Sequence, residues 1–181
     1  DVFISGGDRV ITCSPSFAMY PVYCKMFGAK HYPLNLKVKR YDFFKELCKK
    51  IRKVKPKLVA IANPNQPIEA MLSLKQINKI CKLSAKLGSL VIIDEAYYHF
   101  NNVTAKSLIN SCKNLIVVRT FSKAFGMAGM RVGYTISNKT IIGYMLSIKP
   151  IYEINAFNMK LVRLLIKNIS VMKNYVSEVE K

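Results

Sequence analysis

The chain has 181 residues, of which 51% are hydrophobic, and a formal net charge of +19 at pH 7. This length and apolar content predict one domain with a sizeable hydrophobic core. No apolar run of about 18 residues occurs, which excludes a predicted membrane span, and no signal-peptide pattern opens the chain. Because the first residue is Asp1 and not a methionine, we expect the chain to be a piece of a longer protein.

The cysteine and histidine patterns argue against a disulfide framework and against a metal site. The cysteines are widely separated, no Cys-x-x-Cys pair occurs, and His31 and His99 lie far apart, whereas metal ligands recur at short spacings. We interpret the cysteines as small, reduced core residues and expect a cytoplasmic protein without a metal. The five cysteines are Cys13, Cys24, Cys48, Cys81 and Cys112.

The positive charge is densest between positions 37 and 57, where ten residues are lysine or arginine. Within this segment Phe44, Leu47, Cys48 and Ile51 follow helical spacing, which predicts an amphipathic helix that keeps its lysines in solvent. A basic segment is also compatible with binding to nucleic acid or to an anionic surface. Because lysine dominates and no aromatic-rich RNA motif accompanies it, we expect a solvated face, with neither nucleic acid nor membrane as partner.

Short β-branched runs alternate with longer helical periods along the chain. Strands are predicted at positions 9–13, 30–34, 58–62, 90–93, 115–118 and 132–136. Helices are predicted at 17–27, from the basic segment to Pro56, from the capping box of Ser73 and Gln76 to Gly88, at 105–110, as one turn at 123–125, at 138–148, and as one long helix from about 153.

This alternation predicts a three-layer α/β/α domain with a mostly parallel sheet covered by helices on both faces. Ligands of such sheets bind at the carboxyl ends of the strands. The rule selects positions 63–69, 94–97 and 120–123 as the places to look for a site.

The side chains at these strand ends suggest a specific chemistry. Asp94 follows an apolar run, and a buried carboxylate needs a partner to stay ionised. Glu95 is the alternative functional acid. Tyr97, three residues after Asp94, lies on the same side if the chain turns there. Lys123 follows another apolar strand, where burial and neighbouring positive charge are expected to lower its pKa and make it an amine nucleophile. Arg131 is expected to open the next strand and to bind a phosphate.

Three motifs resemble those of the fold type I, class I and II aminotransferases, and most of all the histidinol-phosphate aminotransferases. They read ANPNQP at 62–67, DEAY at 94–97 and RTFSKAFGMAGMRVGY at 119–134. The likeness runs in order over nearly the whole chain. It implies the large domain of an enzyme that depends on pyridoxal 5'-phosphate.

The resemblance implies three catalytic residues. Lys123 forms a Schiff base with the cofactor and shuttles a proton, and Asp94 pairs with the pyridine nitrogen so that the ring acts as an electron sink. Tyr97 donates to the phenolic oxygen of the ring.

The remaining residues that the resemblance implies hold the cofactor. Gln66 takes the place of the amide that bonds the ring oxygen, and Phe17 takes that of the aromatic that stacks on the ring. The phosphate is implied to bind Thr120, Ser122 and Arg131.

The chain departs from the family pattern at positions 66–69, where Gln-Pro-Ile-Glu replaces Asn-Pro-Thr-Gly. The family's glycine-rich phosphate loop is expected before Asp1. Positions 1–150 are expected to be part of the cofactor-binding large domain, and 151–181 a helix leading to a C-terminal small domain. The resemblance also implies a homodimer.

Three functions remain open from the sequence. The first is an aminotransferase that moves an amino group between an amino acid or amino phosphate and a 2-oxo acid. The second is a decarboxylase resembling threonine-phosphate decarboxylase, which shares the same cofactor residues. The third is a non-catalytic remnant or basic binding protein. The substrate itself is not determined by these motifs.

Overall fold

A computed structural model describes residues 2–36, 42–151, 153–179 and 181. Lys37, Lys39 and Arg40, which belong to the predicted basic segment, lie outside the described residues. The centre of the fold is one six-stranded sheet in the order β2-β1-β3-β4-β5-β6. Its strands are β1 (Arg9–Ser14), β2 (Lys30–Asn35), β3 (Leu58–Ala62), β4 (Leu90–Asp94), β5 (Leu115–Thr120) and β6 (Gly133–Ile136).

All neighbouring strands are parallel except β5 and β6, which are antiparallel. This confirms the predicted α/β class with a mostly parallel sheet. Every residue of β3 is buried, as expected for a central strand covered on both faces.

Among the residues that the structure describes, six α-helices connect and cover the strands. They are α1 (Met19–Met26), α2 (Phe43–Val54), α3 (Leu74–Ala85), α4 (Lys139–Ser147), α5 (Ala156–Lys167) and α6 (Ile169–Val179). Short 3-10 turns lie at Tyr98–Phe100, Ala105–Leu108 and Ala128–Met130. Within the described ranges, no helix is long and apolar enough to cross a membrane.

The two helices that the sequence delimits most sharply form as predicted. In α2, Leu47, Cys48 and Ile51 are buried while most of the basic residues around them are exposed, which confirms the amphipathic pattern. The predicted capping box opens α3: the Ser73 hydroxyl accepts from the Gln76 N–H, and the Gln76 side-chain oxygen accepts from the Ser73 N–H at 2.8 Å.

Other local predictions are wrong. The predicted helical turn at 123–125 is a non-helical turn, in which the Gly126 N–H donates to the Lys123 carbonyl at 2.9 Å and Gly126 takes a φ of +66°. The single long helix predicted from 153 is two helices that break at Asn168. The Asn168 side-chain amide donates to the Leu164 carbonyl at 2.9 Å, because asparagine competes with the backbone for helical hydrogen bonds.

All five cysteines are buried and free, in agreement with their interpretation as core residues. Burial raises the pKa of the Cys13 thiol to about 12. In the part of the chain that the structure describes, no group of three or more His, Cys, Asp or Glu side chains is placed to hold a metal ion.

A buried ion pair connects the carboxyl ends of β4 and β5 and also contacts the segment at 104–105. The Arg119 guanidinium donates to Glu95 Oε2 at 2.9 Å, and the side chains are 10% and 0% exposed. Thr104 also donates to this oxygen at 2.9 Å, and the Ala105 N–H donates to Oε1 at 2.6 Å. The guanidinium lies 3.6 Å from the centre of the Tyr98 ring. Glu95 is therefore fully compensated in the interior.

Removing the cation of this pair should be costly. In Arg119→Met the Glu95 carboxylate stays buried without its charge partner, and we expect the free energy of unfolding to fall by about 3–5 kcal/mol in urea denaturation. The matched change Lys45→Met removes the cation of the exposed Asp42–Lys45 pair and should leave the free energy of unfolding nearly unchanged, since exposed ion pairs contribute little. Equal losses in the two variants would contradict the conclusion that the Glu95–Arg119 pair is a buried ion pair whose cation is needed for stability.

The close approach of β5 and β6 should make one glycine irreplaceable. A Cβ at Gly133 would lie 2.7 Å from the Arg119 carbonyl oxygen, so Gly133→Ala should destabilise the protein by about 1–3 kcal/mol through overpacking. At Gly143 in α4, an added Cβ would meet no other part of the described chain within 4 Å beyond its own helix. The control Gly143→Ala should therefore stabilise by about 0.5–1 kcal/mol, and thermal melting of both variants checks the contrast.

Candidate active site

A cavity of about 600 Å³ opens at the carboxyl ends of the central strands. It lies at the point where the chain order reverses, because β1 has β2 on one side and β3 on the other, and open α/β sheets bind ligands at such a point. All eight residues that the sequence selects line this cavity. They are Phe17, Gln66, Asp94, Tyr97, Thr120, Ser122, Lys123 and Arg131.

Asp94 is the last residue of β4, and both of its carboxylate oxygens accept hydrogen bonds. The Tyr20 hydroxyl donates to Oδ2 at 2.8 Å, and the Ala96 N–H donates to Oδ1 at 3.0 Å. Burial raises the pKa of Asp94, while the bonds from Tyr20 and Ala96 and the charge of Lys123 act in the opposite direction. The carboxylate thus sits at the rim of a dry sheet with its partners already in place.

The neighbouring acid is used differently. The Glu95 carboxylate is taken up by Arg119, Thr104 and the Ala105 N–H. Of the two acids that the sequence left open, Asp94 is the one that borders the cavity.

Lys123 reaches the cavity from a position that the sequence did not predict. β5 extends to Thr120, and Lys123 is an exposed residue in the turn beyond it, not a buried residue at the tip of the strand. Its Nζ lies 5.0 Å from the centre of the Tyr97 ring. The amine and the phenol therefore meet on the same wall of the cavity, and the positive charge of Lys123 acts on Asp94.

Two hydroxyls and a guanidinium form another part of the wall. The Ser122 N–H donates to Thr120 Oγ1 at 3.0 Å, and the Thr120 hydroxyl donates to Ser122 Oγ at 2.9 Å. Arg131 does not open β6 as predicted but precedes it by two residues, with a left-handed φ of 53°. One of its nitrogens donates to the Ala128 carbonyl at 3.0 Å. Hydroxyls beside a guanidinium fork suit a phosphate or carboxylate ligand.

A further part of the wall comes from the loops after β1 and β3. Phe17 is 52% exposed, and its ring meets the Tyr20 ring edge-on, with centroids 5.4 Å apart. Gln66 and Pro67 also line this wall. Ser16 lines the cavity too, and its hydroxyl oxygen is buried without a hydrogen-bond partner among the described residues.

Sequence reasoning missed Tyr20 and Ser16. A signal for Tyr20 exists in the sequence, because it stands three residues after Phe17 in the helix predicted at 17–27, and residues at that spacing share a helix face; in the structure α1 begins only at Met19. The contact with Asp94 joins residues 74 positions apart, and periodicity cannot reveal such a contact.

Comparison with known proteins places the chain in a family. The model of the family described as aminotransferase class I and II matches residues 2–163. Histidinol-phosphate aminotransferase of Thermoanaerobacter sp. (strain X514) is 40% identical over 99% of this chain and 51% of its own length. That of Caldanaerobacter subterraneus subsp. tengcongensis is 37% identical over 97% of this chain and 49% of its own length.

Solved structures agree in fold. The histidinol-phosphate aminotransferase of Sinorhizobium meliloti, in complex with pyridoxal-5'-phosphate, superposes with a TM-score of 0.88 at 20% identity, covering 98% of this chain and 48% of that one. L-threonine-O-3-phosphate decarboxylase of Porphyromonas gingivalis gives 0.73 at 23% identity, covering 92% and 49%. This chain spans about half the length of the curated relatives it matches. On the family match over 2–163 and the relatives above 30% identity, the chain belongs to the aminotransferase class I and II family.

Proposed function

We propose that the protein is a pyridoxal-phosphate-dependent aminotransferase of the histidinol-phosphate aminotransferase type. The observation that carries the proposal is the meeting of Asp94 and Lys123 in one cavity at the carboxyl edge of the sheet. Family membership and the names of the relatives support the same reaction class.

The residues that line the cavity fit the cofactor. A volume of about 600 Å³ accommodates a substituted pyridine ring and its phosphate. The lining offers an acid for a ring nitrogen, an amine for an aldehyde, and hydroxyls with a guanidinium for a phosphate. The unpartnered, buried Ser16 hydroxyl is a further donor for a polar ligand, since buried polar groups are normally hydrogen-bonded.

Each of these residues has a proposed role in holding the cofactor. Asp94 would accept a hydrogen bond from the protonated ring nitrogen, and Phe17 would cover one face of the ring. Gln66 and Tyr97 would donate to its phenolic oxygen. The phosphate would be held by Thr120, Ser122 and Arg131.

Lys123 would hold the cofactor covalently through Nζ, and once released it would move a proton to or from the carbon that bears the substrate nitrogen. When bound, pyridoxal phosphate supplies an electron sink that stabilises negative charge on that carbon. The exposed turn of Lys123 suits both tasks, because the amine can change position without breaking the sheet.

The substitution at positions 66–69 leaves a formed loop. The Asn65 amide donates to the Pro15 carbonyl at 3.1 Å and to the Ile68 carbonyl at 2.9 Å, and Ile68 packs against the main core. The loop after β3 is therefore tied to the loop that carries Phe17. This argues for a maintained site and against a non-catalytic remnant.

The other proposals concern the whole protein. Its substrates would be an amino donor, either an amino acid or an amino phosphate, and a 2-oxo acid acceptor. It would act as a homodimer in the cytoplasm, and exposed apolar side chains such as Phe157 and Leu164 on α5 support self-association. Positions 1–150 would belong to the cofactor-binding domain, and 151–181 would lead to a small domain.

Lys123 provides the direct test of this function. The complete gene product, mixed with pyridoxal phosphate, should show a visible absorbance band that borohydride abolishes, and Lys123→Ala should never show it. The control Lys75→Ala changes an exposed lysine of α3 and should behave as the unmodified protein. An unchanged reducible band in Lys123→Ala would refute the proposed role of Lys123.

The products distinguish the two enzyme types. With 2-oxoglutarate and a candidate amine, glutamate as product supports the aminotransferase, whereas carbon dioxide release identifies a decarboxylase.

Asp94 should reduce the stability of the cofactor-free protein as the pH rises. Because its pKa is raised from the ordinary value of 3.8, the folded state holds its proton to higher pH than the unfolded state, and stability falls across that window. Asp94→Asn removes this loss. The free energy of unfolding of Asp94→Asn minus that of the unmodified protein should rise with pH from about 3.8 upward, by at most about 1.4 kcal/mol per pH unit.

Asp42→Asn is the control of opposite sign. The Lys45 N–H lowers the pKa of Asp42, so the unmodified protein gains stability as this group ionises. The difference between Asp42→Asn and the unmodified protein should therefore fall with pH, and the change should be complete once the pH is well above 3.8. Denaturation curves at several pH values check both signs. A flat difference for Asp94→Asn would contradict the assignment.

A further inference from the structure

Tyr20 contacts two of the groups that are proposed to touch the cofactor ring, Asp94 and Phe17. It lies in the first turn of α1, its hydroxyl donates to Asp94 Oδ2 at 2.8 Å, and its ring meets that of Phe17 at 5.4 Å with an interplanar angle of 85°. Asp94 would meet the ring at its nitrogen, and Phe17 would meet it on its face. One side chain thus links the two.

The bond from Tyr20 fixes the plane of the carboxylate. A carboxylate held at one oxygen can still rotate about the bond to its Cβ, whereas donors at both oxygens define its orientation. Asp94 has the Ala96 N–H at Oδ1 and Tyr20 at Oδ2. Because a carboxylate oxygen accepts more than one hydrogen bond, the group keeps acceptor capacity for a ring N–H.

The hydroxyl also favours the ionised form of Asp94 without adding a charge. Burial and the nearby Asp94 charge raise the pKa of Tyr20 far above its ordinary value, so Tyr20 remains a donor. Cys13, which acts on Tyr20 from β1, remains a neutral thiol, since burial raises its pKa to about 12. Among the groups that act on Asp94, Lys123 carries a charge. A neutral donor leaves the negative charge available to a protonated ring nitrogen.

We infer that Tyr20 is a positioning residue, which orients the Asp94 carboxylate toward the ring nitrogen of the cofactor and braces Phe17 against the ring face. The inference rests on the proposed function and adds a residue to it. Tyr20 does not touch the reacting atoms and acts through Asp94 and Phe17.

The experiment uses the complete gene product and two conservative variants. Tyr20→Phe removes the hydroxyl and keeps the ring that packs on Phe17. Tyr23→Phe removes a hydroxyl from the same helix at an exposed position and serves as control. In the absence of cofactor, the carboxyl carbon of Asp94 is titrated by NMR. We expect Tyr20→Phe to raise the pKa of Asp94 and Tyr23→Phe to leave it unchanged.

The second readout compares two ligands. Pyridoxal phosphate should bind Tyr20→Phe about ten-fold more weakly than the unmodified protein, because a hydrogen bond to a charged group is lost. An analogue with carbon in place of the ring nitrogen should bind both proteins equally, since it has no N–H to donate to Asp94. A structural role alone would weaken both ligands by the same factor.

The outcomes separate this inference from the proposed function. Failure of the unmodified protein to show a Lys123-dependent reducible band would overturn the function, while the NMR titration would still decide whether Tyr20 controls Asp94. An unchanged pKa of Asp94 in Tyr20→Phe, or equal losses for both ligands, would overturn the inference and leave the function standing.

Discussion

Three parallel strands that end in register are the constraint on which the site depends. Ala62 at the end of β3 pairs with Asp94 at the end of β4, and Asp94 pairs with Val118 near the end of β5. The loops that follow are therefore delivered to one edge of the sheet. Gln66, Asp94 and Lys123 come from separate stretches of the chain, and it is this shared register that makes them neighbours.

The two adjacent acids at that edge, Asp94 and Glu95, have different environments and different proposed roles. Glu95 has a guanidinium, a hydroxyl and an amide as partners, and a carboxylate so completely compensated is suited to holding elements together. Asp94 accepts from two neutral donors, and the charge of Lys123 in the same cavity acts on it. These partners offset the cost of burying the Asp94 carboxylate only in part, because its pKa is still raised. A cationic ring nitrogen would supply the missing stabilisation.

Much of this arrangement was accessible from the sequence, and the rest was not, for physical reasons. Apolar runs and turn residues predict the strands, and the strand-end rule with the motif resemblance selects Asp94 and Lys123. The Tyr20–Asp94 bond joins distant segments and depends on side-chain directions that periodicity does not encode. The break at Asn168 depends on one side-chain hydrogen bond competing with the helix, and the exposure of Lys123 depends on how far β5 extends.

The burial of the five thiols has a consequence for chemical selectivity. An aldehyde cofactor is attacked by thiolates as well as by amines, and only the deprotonated thiol is reactive. Every cysteine of the chain is buried, and the Cys13 thiol, close to Tyr20, keeps its proton up to a pH of about 12. No cysteine stands among the described residues that line the cavity, so an electrophile bound there meets the Lys123 amine and no thiol.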